Sequence, residues 1–407
     1  MRRRSERVPE VLCGGRHRHP HGDRRGRDRV GARARRREHR QHRQRRNPLQ
    51  LSSSGPAQTV SGAGVSAATA SGTTTGTARP RLHADEVDID PDAVRRALDA
   101  QHPRFRDLPL TPLAGGGTIN RVFRLGDELV VRVPLIEWGA RDAEREARIL
   151  PRLHGMLPVA TPELVALGAP APGIPWSWTV LDWLPGRSLS AAMRAAEESG
   201  ATRDAVGADA ADAGLGRLLG ETLATLAAIE VDGDTPLETG GGDPVAERAT
   251  LIDGLRAGAA LIDVPAAVDR LERDLAHPLT PVVGVAGVAG VTGVSGTPGR
   301  ARAWTHGDPL PGNLVVDGAG ALTAIIDWSS AGAGDTTHDL VAAWWTVGPL
   351  GRRALREVLD PSEADWHLAR LRAWRKAAAA VGYYAGSSPI FAADARRAIE
   401  RLVADAD

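Results

Sequence analysis

The chain is short of several things. Cys13 is its only cysteine in 407 residues, which excludes an intramolecular disulfide and suits a reducing, cytoplasmic compartment. No run of 18 or more apolar residues occurs, so no membrane-spanning segment is expected. Lys376 is the only lysine among 51 basic residues. A function that ordinarily sets lysine beside phosphate must here use arginine, or do without. A net charge of one sign is missing too, because the formal +1 hides two opposed parts. Residues 1–50 hold 18 Arg against five acids, about +13, and the remainder holds 33 basic and 45 acidic residues, about −12.

The first 50 residues also have almost no large apolar side chains, so they bury too little surface to offset chain entropy. Residues 51–80 are rich in Ser, Thr, Gly and Ala. Residues 1–82 are therefore expected to be a disordered basic tail and linker. An arm binding nucleic acid or an anionic surface is the competing reading of the arginines. No apolar stretch follows them as a targeting peptide would require.

From residue 83 onward the patterns become periodic. Asp90-Pro91 supplies a helix cap and a first-turn proline for a helix that Pro103 ends. Leu110 to Leu113 suits a strand, and Gly115, Gly116 and Gly117 form a loop. Two alternating segments, 121–125 and 128–133, flank Gly126-Asp127 as a hairpin. Arg132 ends the third strand. Residues 139–154 predict an amphipathic helix carrying Glu144 and Glu146, and 176–184 a buried strand leading to Pro185-Gly186. Helices are expected at 188–196, behind a Ser cap, and at 214–229, 246–262 and 265–276. The acidic piece 197–214 between the first two reads as a solvated face or loop, or as a surface for a cationic ligand. Residues 280–300 form a Gly/Val insert that favours neither helix nor strand. Strands 303–305, 314–316 and 322–326 follow. Residues 332–347 become helical by Asp339, and 360–384 form a helix capped by Asp360 or Ser362.

The chemistry concentrates in Trp304–Trp328, WTHGDPLPGNLVVDGAGALTAIIDW. An acid (Asp308), an amide (Asn313) and a second acid (Asp327) stand on strand-flanked turns. Such a set holds a divalent metal and phosphate while one carboxylate accepts a proton. A strand, glycine loop and two more strands can lay backbone N–H groups over a polyphosphate, though three glycines are equally a plain loop. Arg132 is either a cation within reach of phosphate or an exposed strand residue.

In this order, the motifs THGDPLPGN (305–313), IIDW (325–328) and GDTTHDL (334–340) resemble the aminoglycoside phosphotransferase family, the small-molecule branch of the protein-kinase-like fold. NRVFRLGDELVVRVP (120–134) and EREARILPRL (144–153) extend the match to roughly residues 86–400. The resemblance implies an α+β, two-lobed fold. Its small antiparallel-sheet lobe would span 83–184, to bind nucleotide, and its mostly helical lobe 185–407, for catalysis and acceptor. It implies Asp308 as catalytic base, and Asn313 and Asp327 as ligands of Mg²⁺ on ATP. Gly115, Gly116, Gly117 and Asn120 would form the nucleotide loop. Arg132 would be paired with Glu146, with Glu144 as fallback, and Asp182 and Leu184 would lie in the hinge that meets adenine. His306 and Asp339 would brace the catalytic loop. The acceptor would be a small hydroxylated molecule, an aminoglycoside-like antibiotic or a choline-, homoserine- or sugar-like alcohol, and the acidic lobe suits a cationic one. A nucleotide-binding module without transfer is the competing class. A protein-substrate kinase is disfavoured, because Asp327 to Asp339 leaves little room for a peptide-docking segment. The tail has no counterpart in the family pattern, so deleting residues 1–80 should leave nucleotide turnover within about twofold of the full chain, small beside the tenfold that 1.4 kcal/mol of barrier produces. A larger loss in a steady-state assay would give the tail a catalytic role.

Overall fold

The computed structural model describes residues 85–113, 119–200, 205–238, 247–278 and 302–405, all within the unit Leu49–Asp407. The tail and linker 1–82, the loop glycines Gly115, Gly116 and Gly117, and the insert 280–300 lie outside the described residues.

Order begins with α1 (Pro91–Gln101), where Asp90 Oδ1 accepts from the Asp92 N–H at 3.1 Å and Pro91 takes the first turn. The strands β1 (Leu110–Pro112), β2 (Asn120–Leu125), β3 (Leu129–Pro134), β4 (Leu164–Gly168) and β5 (Trp178–Asp182) form an antiparallel sheet in the order β1-β2-β3-β5-β4. Side chains alternate across a strand. Val131 and Val133 therefore enter the core beneath α1, with Val94, Leu98, Phe123 and Trp178. Arg132, between them, points to the opposite face, where α2 (Glu137–Leu153) lies and supplies its partner Glu146. The edge strand β4 lies between Pro162 and Pro170. An edge position tolerates such neighbours because one side of the strand needs no ladder. Gly168 is required there, since a Cβ would lie 1.9 Å from the Trp178 ring.

Past the connector Pro185-Gly186 the chain is mostly helical. Strand β6 (Arg187–Ser188) leads into α3 (Leu189–Ser199), with Ser188 Oγ accepting from the Ala191 N–H at 3.2 Å. Helix α4 (Ala205–Ala227) begins well before the expected 214–229. The alanine-rich half of the acidic piece is thus a helix with Asp209 on a solvated face, and not a loop, as its high alanine propensity allows. Helices α5 (Arg248–Ala257) and α6 (Val264–Leu275) follow. Next come β7 (Ala303–Thr305), β8 (Leu314–Val316), β9 (Leu322–Ile325) and β10 (Gly332–Gly334). β7 pairs with β10, and β8 lies between β6 and β9. Thr336–Val341 is a 3₁₀ turn that passes into α7 (Ala342–Trp345). The chain closes with α8 (Pro349–Leu359), α9 (Glu363–Tyr383) and α10 (Pro389–Ala404).

Ser362, not Asp360, caps α9, because Asp360 adopts φ 41° at the end of α8. Trp304, Trp328, Trp344, Trp345 and Trp374 are buried in one helical core. The Trp374 indole N–H donates to Asp274 Oδ2 at 2.7 Å, which pins α9 to α6. No helix among the described residues is long and apolar enough to cross a membrane. Leu98 is fully buried under the sheet, so Leu98→Ala should cost about 2–5 kcal/mol of stability in denaturant titration. A loss within experimental error would mean that α1 does not pack there.

Candidate active site

The turn His306–Asp308 leaves β7 and is gripped from below by one side chain. Asp339 accepts the His306 N–H at 2.9 Å on Oδ2 and the Gly307 N–H at 2.7 Å on Oδ1. Gly307 stands at φ 79°, and a Cβ there would lie 3.0 Å from the Ser330 carbonyl oxygen. The position therefore demands glycine on two grounds. The buried His306 ring accepts from the Asp308 N–H at Nδ1, 3.2 Å away, so its proton sits on Nε2 and is donated to the Ile326 carbonyl at 3.1 Å. Burial lowers its pKa and keeps it neutral. Burial also pushes the Asp339 carboxyl up to about 7, against the two N–H donors that favour its charged form.

Asp308 is fully buried. Asn313, on the 3₁₀ turn Pro311–Asn313, donates from Nδ2 to the Asp308 carbonyl at 3.0 Å and to Asp308 Oδ2 at 2.9 Å. An acceptor-only carboxylate fixes which end of the amide faces it. Asn313 Oδ1 is thereby turned away and is buried without a hydrogen-bond partner. Asp308 Oδ1 is met by the Lys376 ammonium of α9.

Asp327 follows β9 in the left-handed region at φ 62°. Asp and Asn tolerate that region better than bulkier residues, and its cost of order 1–3 kcal/mol is characteristic of functional sites. Its Oδ1 accepts from Ser329 Oγ at 3.0 Å and from Arg132 Nη2 at 3.2 Å. Arg132 Nη1 donates to Glu146 Oε2 at 2.6 Å, and Glu146 Oε1 accepts the Trp328 N–H at 3.0 Å. Burial acts to lower the Arg132 pKa, but Glu146 and Asp327 outweigh it and raise it. Burial pushes Glu146 up, Arg132 pulls against that, and the Asp327 charge adds to the rise. The fallback partner Glu144 lies elsewhere and accepts from Ser177 Oγ at 3.0 Å.

The structure thus brings Arg132, Glu146, His306, Asp308, Asn313, Asp327 and Asp339 to one seam between the sheet and the helices. Asn120 is buried at the start of β2, opposite Pro134. The Asp182 carboxylate is committed to the Glu163 N–H at 2.6 Å, and its own N–H to the Glu163 carbonyl at 3.2 Å. The Trp183 N–H goes to the Glu128 carbonyl at 2.7 Å. After Asp182 and Trp183, Leu184 is the first residue of this segment whose N–H has no backbone partner among the described residues.

Asn313 Oδ1 and the Asp327 carboxylate are hard oxygen donors, one of them orphaned, so the residues present fit a magnesium ion. Among the described residues no group of three or more His, Cys, Asp or Glu is placed to hold a metal. The protein would supply two oxygens and leave the remaining positions to water and phosphate, as Mg²⁺ usually requires.

Two residues at the site were not singled out from the sequence as site residues. Asp142 lies one turn before Glu146 on α2, a spacing that places both on one face. Lys376 stands 68 residues beyond Asp308 and carries no local signal of contact.

A family model described as Phosphotransferase enzyme family matches residues 110–378. A structure titled as the GDP and kanamycin complex of APH(2")-IIia is similar, with 18% identity, a TM-score of 0.53, and coverage of 77% of this chain and 99% of that one. The GDP complex of wild-type aminoglycoside 2'-phosphotransferase-IIIa is similar at 19% identity and a TM-score of 0.53, again over 77% of this chain and 99% of that one. No curated protein matches the sequence. The fold is the two-lobed, α+β, protein-kinase-like one.

Burial, with the charges of Asp327 and Glu146, pushes the Asp142 carboxyl from 3.8 up to about 7. A carboxyl raised on folding stabilises the native state below its unfolded pKa, and that contribution is lost as pH rises through the folded one. Asp142→Asn should therefore flatten the stability profile between 3.8 and about 7. Its melting temperature relative to wild type should be higher at pH 8 than at pH 5. Equal differences at the two pH values would sink this assignment.

Proposed function

The chain belongs to the phosphotransferase enzyme family, and on that premise we propose that it moves the γ-phosphate of ATP to a hydroxyl of a small molecule, an aminoglycoside-like antibiotic in the first reading. The observation that carries this is the convergence of Arg132, Asn313 and Asp327 beside a buried Asp308. Arg132 Nη2 lies 3.2 Å from Asp327, and Asn313 Nδ2 lies 2.9 Å from Asp308. One carboxylate is thereby left for the acceptor, while an amide oxygen and a second carboxylate are left for metal and phosphate.

In this reading the sheet and its helices, 83–184, bind the nucleotide, and 185–407 carry catalysis and the acceptor. The glycine loop 115–117 covers the phosphates, and the hinge at Leu184 meets the base. Arg132 keeps N–H groups beyond those given to Glu146 and Asp327, since a guanidinium has five. A magnesium ion held by Asn313 and Asp327 would neutralise charge on the phosphates. Asp308 aligns the acceptor hydroxyl and takes its proton as the acceptor oxygen bonds to the γ-phosphorus and the bond from that phosphorus to the bridging oxygen breaks, releasing ADP. His306 and Asp339 hold the turn that presents Asp308. Catalysis is then mainly positioning and electrostatics.

A second reading, phosphorylation of a metabolite alcohol, is favoured by how the acidic piece is spent. Glu197 pairs with Arg397 at 2.8 Å, Glu198 with Arg194 at 3.0 Å, and Asp212 accepts the Gly348 and Gly351 N–H groups. Those carboxylates are engaged within the protein, which weakens the case for a polycation. The stretch from Asp327 to Asp339 is taken up by a turn, β10 and the Asp335 cap, which supports a small acceptor over a peptide.

The test is nucleotide consumption with Mg²⁺ against aminoglycosides, macrolides and small polar alcohols, using ATP and GTP in parallel because the similar structures hold GDP. Asp308→Ala should lower turnover by about 10³-fold or more while nucleotide affinity stays within about threefold. Undiminished turnover in that variant would remove Asp308 from its role. Nucleotide binding without product for any acceptor would leave a binding module.

A further inference from the structure

Fifty arginines and one lysine make up the basic residues of this chain. That one lysine, Lys376, places its ammonium on Asp308 Oδ1. We propose that Lys376 is a positioning residue for phosphotransfer, and that with Asn313 it clamps the Asp308 carboxylate in one plane. This role rests on the phosphotransfer reading of the site.

The clamp has two jaws from distant parts of the chain. Asn313 Nδ2 takes Oδ2 at 2.9 Å from five residues away. Lys376 takes Oδ1 from α9. A carboxylate with a donor on each oxygen cannot rotate about its Cβ–Cγ bond without losing both. Each oxygen still keeps a lone pair for an incoming hydroxyl. The neighbouring cations on the same helix are occupied. Arg372 lies 3.2 Å from Asp335 and Arg375 lies 2.8 Å from Glu247. They sit one turn away and next in sequence, and they hold α9 so that Lys376 reaches Asp308. The Lys376 side chain is 17% exposed and that of Asp308 0%.

The choice of lysine in so arginine-rich a chain has a physical reason. Asn313 already donates to Asp308 Oδ2, so the cation is presented with Oδ1 alone. A compact ammonium meets a single oxygen, whereas a guanidinium is a planar fork suited to two. The ammonium also compensates the charge of a carboxylate removed from water, which is otherwise costly.

Because the chain has a single lysine, its side-chain amine can be followed alone. Reductive methylation with ¹³C-formaldehyde on the full-length folded protein gives one dimethyl-lysine NMR signal, separate from the N-terminal amine. Modification of Lys376 is expected to be at least about tenfold slower in wild type than in Asp308→Ala, as a paired and mostly buried amine should be. In steady-state hydrolysis of Mg-ATP, with water as acceptor, Lys376→Met should lower kcat by about 10²-fold while the nucleotide KM stays within about threefold. Lys376→Arg should recover part of the loss. Unchanged kcat in Lys376→Met, or a raised KM with kcat intact, would overturn the role. So would methylation of Lys376 at equal rates in wild type and Asp308→Ala. If Lys376→Met fails to fold, the arginine variant and the methylation rates decide. A wild-type chain without any nucleotide turnover sinks the phosphotransfer reading and this role together. A chain that turns over while Lys376→Met keeps its kcat sinks the role alone.

Discussion

A carboxylate withdrawn from water must be met by donors or by a cation, since its desolvation otherwise costs several kcal/mol. Four carboxylates, those of Glu146, Asp308, Asp327 and Asp339, are buried along one seam of this protein. Asp339 is satisfied by two backbone N–H groups, and so the turn His306–Asp308 has the shape it has. Asp308 is satisfied by an amide and an ammonium. Glu146 and Asp327 share one guanidinium. The fold around the seam is largely the set of elements that brings these donors to these acids.

That sharing joins the two lobes. Arg132 leaves the sheet on the face away from α1 because strand side chains alternate, and Glu146 leaves α2 toward it. Asp327 comes from the helical lobe at the end of β9, in a left-handed conformation that aims its carboxylate back at the sheet. Glu146 adds a second tie by accepting the Trp328 N–H. The nucleotide reading places phosphate where these charges meet, so the same contacts that hold the lobes together would set the electrostatics of the cleft.

Much of this was visible in local pattern. Asp90-Pro91, Ser188 and Ser362 marked their helices because caps are chemistry between residues two or three apart. The hairpin at Gly126 and the paired turns at Asp308 and Asp327 were visible for the same reason. The edge strand β4 is obscured by the flanking Pro162 and Pro170, since its pairing is supplied by β5 and not by its own residues. The local pattern of the acidic piece before Gly214 allows a solvated face, a loop or a ligand surface. Alanine carries half of it into α4; Glu197 is met by Arg397, and Asp212 by the Gly348 and Gly351 N–H groups, far along the chain. Asp182 ends β5, and its side chain is engaged with the Glu163 N–H.

The sequence by itself determined the kinds of chemistry present: hard oxygen donors at a set spacing, a strand-end arginine, a helix bearing two glutamates, and turns able to hold them. These follow from short-range rules of propensity and capping, which act between near neighbours. Only the tertiary structure decided which partner each charge takes. It paired Arg132 with Glu146 and not Glu144, left Asn313 Oδ1 without a partner, and carried Asp142 and Lys376 into the site. Charge pairing in a buried seam depends on distances across the chain, and those are set by packing, which no local pattern encodes.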